Sequence, residues 1–92
     1  MTNLELETLR EKMTLIDNEL LEILEDRIEL AKEIAEVKIE NNIPMEDLKR
    51  EEEIIKQRKM HTSLDGEFVE SLMKLLIKES KKAQNKILEE KE

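Results

Sequence analysis

The 92-residue chain contains no cysteine and has only one glycine, one proline, one histidine and one aromatic residue, Phe68. Without cysteine the chain can form no disulfide, no thiolate metal site and no cysteine nucleophile. It is also indifferent to redox state, so we expect a cytoplasmic location. One aromatic side chain offers almost no surface on which nucleic-acid bases could stack.

We expect neither a signal peptide nor a membrane-spanning segment in this sequence. The N-terminus lacks the cationic and apolar regions of a signal peptide, and no apolar run approaches the about 18 residues needed to span a membrane. The 16 basic residues are outnumbered by 24 acidic ones, which gives a net charge of −8. Such a charge opposes binding to nucleic acid. We therefore expect neither a membrane nor a nucleic acid as partner.

What the chain does contain is helix-forming residues in a helical period. Apolar residues recur at intervals of three and four, and Leu, Ile, Glu and Lys are frequent. The pattern predicts an all-α fold with helices over residues 4–41, 47–60 and 66–90, in a single domain that spans residues 1–92. On the second helix we expect Leu48, Ile54 and Ile55 to face inward. We expect Thr2 to open the capping box of the first helix, and Asp47 and Asp65 to cap the second and third.

The first predicted helix is too long for a small monomer. At about 1.5 Å per residue it would extend for roughly 57 Å. A compact chain of this size has a radius of gyration of only about 12 Å. The helix would therefore protrude with its apolar stripe exposed to water, unless a second chain covered it. This predicts a homodimer in which the first helix packs along its own copy.

Five polar residues interrupt the apolar stripes: Arg27 and Lys38 on the first helix, Glu51 on the second, and Ser80 and Gln84 on the third. Each alone has a structural explanation, because long cations reach water, serine bonds its own helix, and glutamine can fix helix register. Together they lie on the inward faces of three helices, where unpartnered charge is costly. The set predicts one polar pocket whose cations suit a small anionic ligand.

Other kinds of active site find little support in the sequence. No nucleophile–base pair, glycine-rich phosphate loop or spacing of metal ligands is present. His61 lies in a predicted loop beside Thr62, where we expect it to be solvated. Glu52 and Glu53 are expected on a solvated helix face. We therefore expect a site that uses neither a metal nor a cofactor.

The ordered set of polar residues resembles the all-helical chorismate mutases of the AroQ class, over roughly residues 4–88. The matching segments are Leu9-Arg10-Glu11-Lys12, Ile16-Asp17, Asp26-Arg27 with Glu29-Leu30-Ala31, then Lys38, Ile43-Pro44 followed by Asp47, Arg50 and Glu51, and finally Glu79-Ser80 with Gln84. The single segments are weak signals, whereas their order along the chain is a specific one.

The resemblance implies an intertwined helical homodimer that converts chorismate, a dianion, to prephenate by a [3,3] rearrangement in phenylalanine and tyrosine biosynthesis. It implies an isomerase without a cofactor, with two equivalent sites that are each completed by Arg10 of the other chain. By the same resemblance, Arg10 and Arg27 would bind substrate carboxylates, and Arg50 would order the anionic end. Lys38 would contact a carboxylate and the ether oxygen, to which Gln84 would also donate. Glu51, with the backbone near Asp47, would bind the ring hydroxyl, and Ser80 would support the ring carboxylate. Because the chain ends shortly after the match, we expect no fused enzyme or regulatory domain.

Three alternatives remain open at this point, one of which is a catalytically impaired relative or a designed variant, because motif residues alone do not establish activity. An isochorismate–pyruvate lyase could use the same fold, although Glu51, as a partner for the hydroxyl of chorismate, favours the mutase. A non-catalytic helical dimerisation module would explain the composition and the long helix equally well. It would not explain inward-facing polar residues at these spacings on three helices.

Overall fold

This computed structural model describes residues 3–92, which contain three α-helices joined by two short connections. Helix α1 runs over Asn3–Glu40, α2 over Leu48–Met60 and α3 over Gly66–Lys91. The predicted all-α fold is confirmed, and each helix end lies within one residue of its predicted position. The proposed capping residue Thr2 lies outside the described residues. No helix in residues 3–92 is long and apolar enough to cross a membrane.

Helix α1 ends at a turn built around Asn42. Asn42 has a φ of 55°, a left-handed conformation that asparagine adopts more readily than most residues. The N–H of Ile43 donates to the Lys38 carbonyl at 2.8 Å, and the N–H of Asn42 donates to the Ile39 carbonyl at 3.3 Å. These two bonds form a Schellman motif, which satisfies carbonyls that the helix end leaves unpaired. The turn brings the connecting segment back beside Lys38, whose Nζ donates to the Met45 carbonyl at 2.9 Å.

Aspartate side chains cap the other two helices, as predicted. The Asp47 carboxylate accepts a hydrogen bond from the Arg50 N–H at 3.0 Å, and the Asp65 carboxylate accepts one from the Phe68 N–H at 3.0 Å. Such caps satisfy donors in the first helical turn and stabilise the helix by about 1 kcal/mol each. They fix where α2 and α3 begin.

Helix α3 packs against both α1 and α2 and forms the centre of the fold. On α1 the buried residues are Ala31 and Ala35, one turn apart, whose small side chains allow α3 to approach closely. On α3 the buried apolar residues are Val69, Met73 and Ile77. The core is thin, as expected for a chain of this length.

The N-terminal half of α1 projects beyond this core. Every residue from Asn3 to Ile23 is exposed, including the apolar stripe of Leu9, Met13, Ile16, Leu20 and Ile23. The structure is 60 Å long and its radius of gyration is 17.5 Å, well above the about 12 Å of a compact chain. The prediction that the long helix protrudes with its apolar stripe uncovered within one chain is confirmed.

One inward-facing assignment was wrong. Leu48 fits the apolar pattern of α2, yet it is 61% exposed. The half-buried residues of this helix begin at Glu51 and include Ile54 and Ile55. Leu48 occupies the first position of the helix and therefore precedes its packed section.

Candidate functional site

A cleft of about 660 Å³ lies between the C-terminal half of α1, helix α2 with its preceding turn, and the C-terminal half of α3. Seven of the eight predicted site residues line it: Arg27, Lys38, Asp47, Arg50, Glu51, Ser80 and Gln84. Residues far apart in the sequence are therefore brought together around one opening. Arg10 is the predicted site residue that does not take part.

Arg27 is held from α1 against two acceptors on α3. Its Nη1 donates to the Leu76 carbonyl at 3.2 Å and also to the Ser80 Oγ. Burial lowers the pKa of Arg27, and the positive charge of Arg58 lowers it further. A guanidinium still remains protonated at any ordinary pH, and it has five N–H donors, so donors remain for a ligand. Arg27 is thus a fixed and partly desolvated cation that is suited to a carboxylate.

Gln84 lies one helical turn beyond Ser80 on the same face of α3. Its side chain is buried, with 8% exposure, and Nε2 donates to the Ala31 carbonyl at 3.1 Å. This bond uses one of the two amide hydrogens and orients the group at the cleft wall. The second hydrogen is then available to a ligand in the cleft.

Lys38 lies at the end of α1 where the chain turns back. Its bond to the Met45 carbonyl uses one of three ammonium hydrogens. The side chain is half-buried and lines the same cleft as Gln84. Lys38 and Gln84 therefore present N–H donors from two helices, each oriented in advance by a backbone carbonyl.

Glu51 is held at the cleft by a lysine from α3. Lys81 Nζ lies 3.2 Å from Glu51 Oε2 and 3.3 Å from Oε1, and it also lies 3.3 Å from Glu46 Oε1. The Glu51 side chain is 23% exposed. The hydrogen bond to Glu51 raises the pKa of Lys81, and the bond to Glu46 raises it further. The bridge ties α2 and the preceding turn to α3.

Asp47 and Arg50 contribute in different ways. Asp47 lines the cleft, and its carboxylate is already bonded as the cap of α2. Arg50 is exposed, and its Nη1 lies 3.8 Å from the Glu53 carboxylate. An ion pair of this length at the surface is weak. Arg50 can therefore turn toward a ligand at little cost.

Arg10 lies in the exposed half of α1, outside the cleft. It is seventeen residues from Arg27, which corresponds to about 25 Å along a straight helix. No side chain spans that distance, so Arg10 cannot reach the cleft of its own chain. Its predicted contact with the substrate requires a second chain.

Two further cations in the cleft wall, Arg58 and Lys81, were missed from the sequence. Arg58 lies four residues after Ile54 and seven after Glu51, a spacing that places all three on one side of α2. That spacing was visible in the sequence, but α2 has too few apolar residues to define an inward face. With these two, five cationic side chains and two acidic ones line the cleft. It is therefore locally positive in a chain of net charge −8.

The sequence is similar to those of known proteins. Residues 9–85 match the family described as chorismate mutase type II. The chain is 33% identical over 86 residues to the bifunctional chorismate mutase/prephenate dehydratase of Escherichia coli K12, a match that covers 89% of the chain and only 22% of that relative. It is also 33% identical over 85 residues to the chorismate mutase of Methanocaldococcus jannaschii, covering 89% of the chain and 86% of the relative.

A solved structure has the same fold. It is that of a conserved hypothetical protein from Pyrococcus furiosus, which is 33% identical in sequence and superposes with a TM-score of 0.72. The match covers 91% of this chain and 99% of the other. The family match spans most of the chain and includes all eight predicted site residues, so the chain belongs to the chorismate mutase type II family.

Proposed function

We propose that this chain is an isomerase that converts chorismate to prephenate, the rearrangement that leads to phenylalanine and tyrosine. The observation that carries the proposal is the convergence of Arg27, Lys38 and Gln84 on one positively charged cleft. Family membership supports the same reaction. The sizeable cleft and its excess of cations fit a small dianion.

Arg27 would hold a substrate carboxylate. Two acceptors on α3 already orient its guanidinium, so the remaining N–H groups can meet a carboxylate with little further ordering. Chorismate reacts only when its flexible enolpyruvyl arm lies over the ring. Capture of its carboxylates restricts the molecule to that conformation, which lowers the entropic part of the barrier.

Lys38 and Gln84 would stabilise charge in the transition state. As the carbon–oxygen bond breaks, negative charge grows on the ether oxygen. Donors that are fixed beforehand stabilise such charge without reorganising during the reaction. The carbonyls of Met45 and Ala31 hold these two side chains in place. A concerted rearrangement transfers no proton, so these donors can act without a nucleophile or a general base.

Glu51 would accept a hydrogen bond from the ring hydroxyl of chorismate. Its carboxylate is half-buried at the cleft, and Lys81 holds it in position from α3. This contact favours chorismate over isochorismate, whose hydroxyl is placed differently on the ring. Glu51 therefore supports the mutase over the lyase alternative.

We further propose that the working unit is a homodimer in which two α1 helices pair antiparallel. A twofold axis midway between Arg10 and Arg27, between residues 18 and 19, would bring the partner's Arg10 level with Arg27. The same register pairs apolar positions of the exposed stripe with apolar positions further along the helix. The residues brought level are Leu9 with Ile28, Met13 with Leu24, and Ile16 with Leu21.

This pairing covers the stripe and completes the cleft in one step. The stripe residues Leu9, Met13 and Ile16 are each more than half exposed in the single chain. Burial of large aliphatic side chains stabilises by about 1.5–3 kcal/mol each. One symmetric contact would thus supply both the missing apolar burial and one more arginine for the dianion, in addition to the three that line the cleft within one chain.

Incubation of the purified protein with chorismate tests the proposed reaction. We expect chorismate to disappear with formation of an equal amount of prephenate, resolved by chromatography. An Arg27→Ala variant provides a control for a contaminating enzyme, since it should be strongly impaired. In a second reaction with isochorismate, we expect no release of pyruvate. Pyruvate from isochorismate without prephenate from chorismate would favour the lyase, and inactivity toward both by a fully helical protein would contradict the proposal.

A further inference from the structure

Arg58 is a cation of the cleft that the implied site residues do not include. It lines the cleft from the second half of α2, on the same side of the helix as Glu51 and Ile54. Two other cationic side chains of the cleft wall have carboxylate partners. Lys81 bonds Glu46 and Glu51, and Arg50 lies near Glu53.

The Arg58 guanidinium, in contrast, makes no ion pair within residues 3–92. Its positive charge lowers the pKa of Arg27, which lines the same cleft. Two guanidiniums without a carboxylate between them repel each other, which costs free energy in the empty protein. An anion that enters between them removes the repulsion and gains attraction from both. At Arg27 the acceptors are the Ser80 hydroxyl and the Leu76 carbonyl, which are both neutral. The cleft therefore keeps an excess of positive charge that an anion can neutralise.

We propose that Arg58 is an additional substrate-binding residue, which contacts a carboxylate of the dianion from the same chain as Arg27. The proposal rests on the proposed function, because it assumes the dicarboxylate substrate of that reaction. Arg58 is exposed at the edge of the cleft. Its attraction acts on the substrate before and during the reaction alike, so it should strengthen binding more than it accelerates the chemical step.

The test compares Arg58→Gln with a matched variant, Lys56→Gln. Lys56 is an exposed cation two residues away on the same helix; it does not line the cleft and makes no ion pair within residues 3–92. Both substitutions remove one positive charge, so they change the overall field of the protein equally. Only Arg58→Gln removes a positive charge from the cleft wall.

We expect Arg58→Gln to raise the KM for chorismate about three- to tenfold at low ionic strength and to change kcat less than about twofold. The difference should shrink in high salt, because an exposed charge is screened. Arg58→Lys should recover part of the loss, and Lys56→Gln should behave like the parent. The melting temperature of the ligand-free Arg58→Gln protein should equal or exceed that of the parent, since the repulsion with Arg27 is gone.

Equal KM values for Arg58→Gln and Lys56→Gln would overturn the inference. The proposed function would stand in that case, provided that the parent protein converts chorismate to prephenate. A lowered melting temperature of Arg58→Gln, together with a fall in kcat and no change in KM, would assign Arg58 a structural role. That result would also overturn the inference. If the parent itself forms no prephenate, the proposed function fails and the inference fails with it. The two failures are therefore distinguishable.

Discussion

The two halves of α1 share one helical period but have opposite surroundings. Between residues 24 and 40 the inward face carries the small residues Ala31 and Ala35, and α3 packs directly on them. Between residues 3 and 23 the same face carries large aliphatic side chains, and within the chain nothing covers them. The period thus predicts which face is apolar, whereas the size of the side chains indicates which kind of neighbour that face receives.

The largest expected effect comes from a charge placed in the exposed stripe. Ile16→Glu would bury a carboxylate in the proposed helix pair, which is unfavourable without a partner. Asn18→Glu adds the same charge on the opposite side of the helix, about 180° away from the stripe centre. We expect light scattering to find Ile16→Glu monomeric and inactive, with reduced helicity, and Asn18→Glu dimeric and active. A dimeric, fully active Ile16→Glu protein would mean that the stripe does not form the interface.

A smaller effect is expected from changing the donor in the packed half. A neutral amide donates without being protonated, whereas a carboxylate must carry a proton, which glutamate does only near pH 4. Gln84→Glu should therefore lose about a hundredfold in kcat at pH 8. Burial, and the Ala31 carbonyl that Gln84 now contacts, would raise the pKa of the new carboxyl.

Activity of Gln84→Glu should accordingly return in part as the pH falls, while that of the parent varies little between about pH 6 and 9, since a neutral amide does not titrate. Circular dichroism at each pH separates this recovery from unfolding. Full activity of Gln84→Glu at pH 8 would show that Gln84 serves packing or helix register and does not donate to the ether oxygen.

The smallest expected effect concerns the Lys81 bridge, which stabilises α2 against α3. The lysine side chain is 34% exposed, so solvent weakens the pair and Lys81→Met should cost only about 0.5–1 kcal/mol at pH 8. Because the pKa of Lys81 is raised on folding, this contribution is complete below the ordinary lysine value of 10.5 and is lost as the pH rises through the raised one.

Urea unfolding at pH 8 and above pH 11 measures the difference between Lys81→Met and the parent. Lys78→Met, at an exposed lysine with no ion pair within residues 3–92, is the control for loss of a charge. A difference that persists unchanged at the alkaline pH would show that the lysine stem, and not its charge, provides the stabilisation.

The fold could be predicted from the sequence because the helix signals are long and the interruptions few. The first helix ends within one residue of its predicted position, and the caps at Asp47 and Asp65 lie where they were predicted. The positions of the inward polar residues on α1 and α3 also followed from the pattern, because both helices have enough apolar residues to define a face.

Helix α2 gave less information, and the errors at Leu48 and Arg58 are found there, whereas the missed Lys81 lies on α3. It has few apolar residues, so its rotation about its own axis is set by contacts with α3 that the sequence does not display. For this reason Leu48 was assigned inward and is exposed, while Arg58 was not assigned and lines the cleft. Charged residues on a helix are usually solvated, and only the packed structure shows which of them face a site.

The central claim is that the exposed half of α1 and the cleft beside its packed half form one site across two chains. The test mixes Arg10→Ala dimers with Arg27→Ala dimers. Each variant is expected to be inactive alone. In a mixed dimer one site carries both defects and the other carries neither, so an equal mixture should regain about a quarter of the parental activity by random pairing. Mass spectrometry would establish that subunits have exchanged. No recovery despite proven exchange would contradict the claim, because Arg10 would then act within its own chain or not at the site at all.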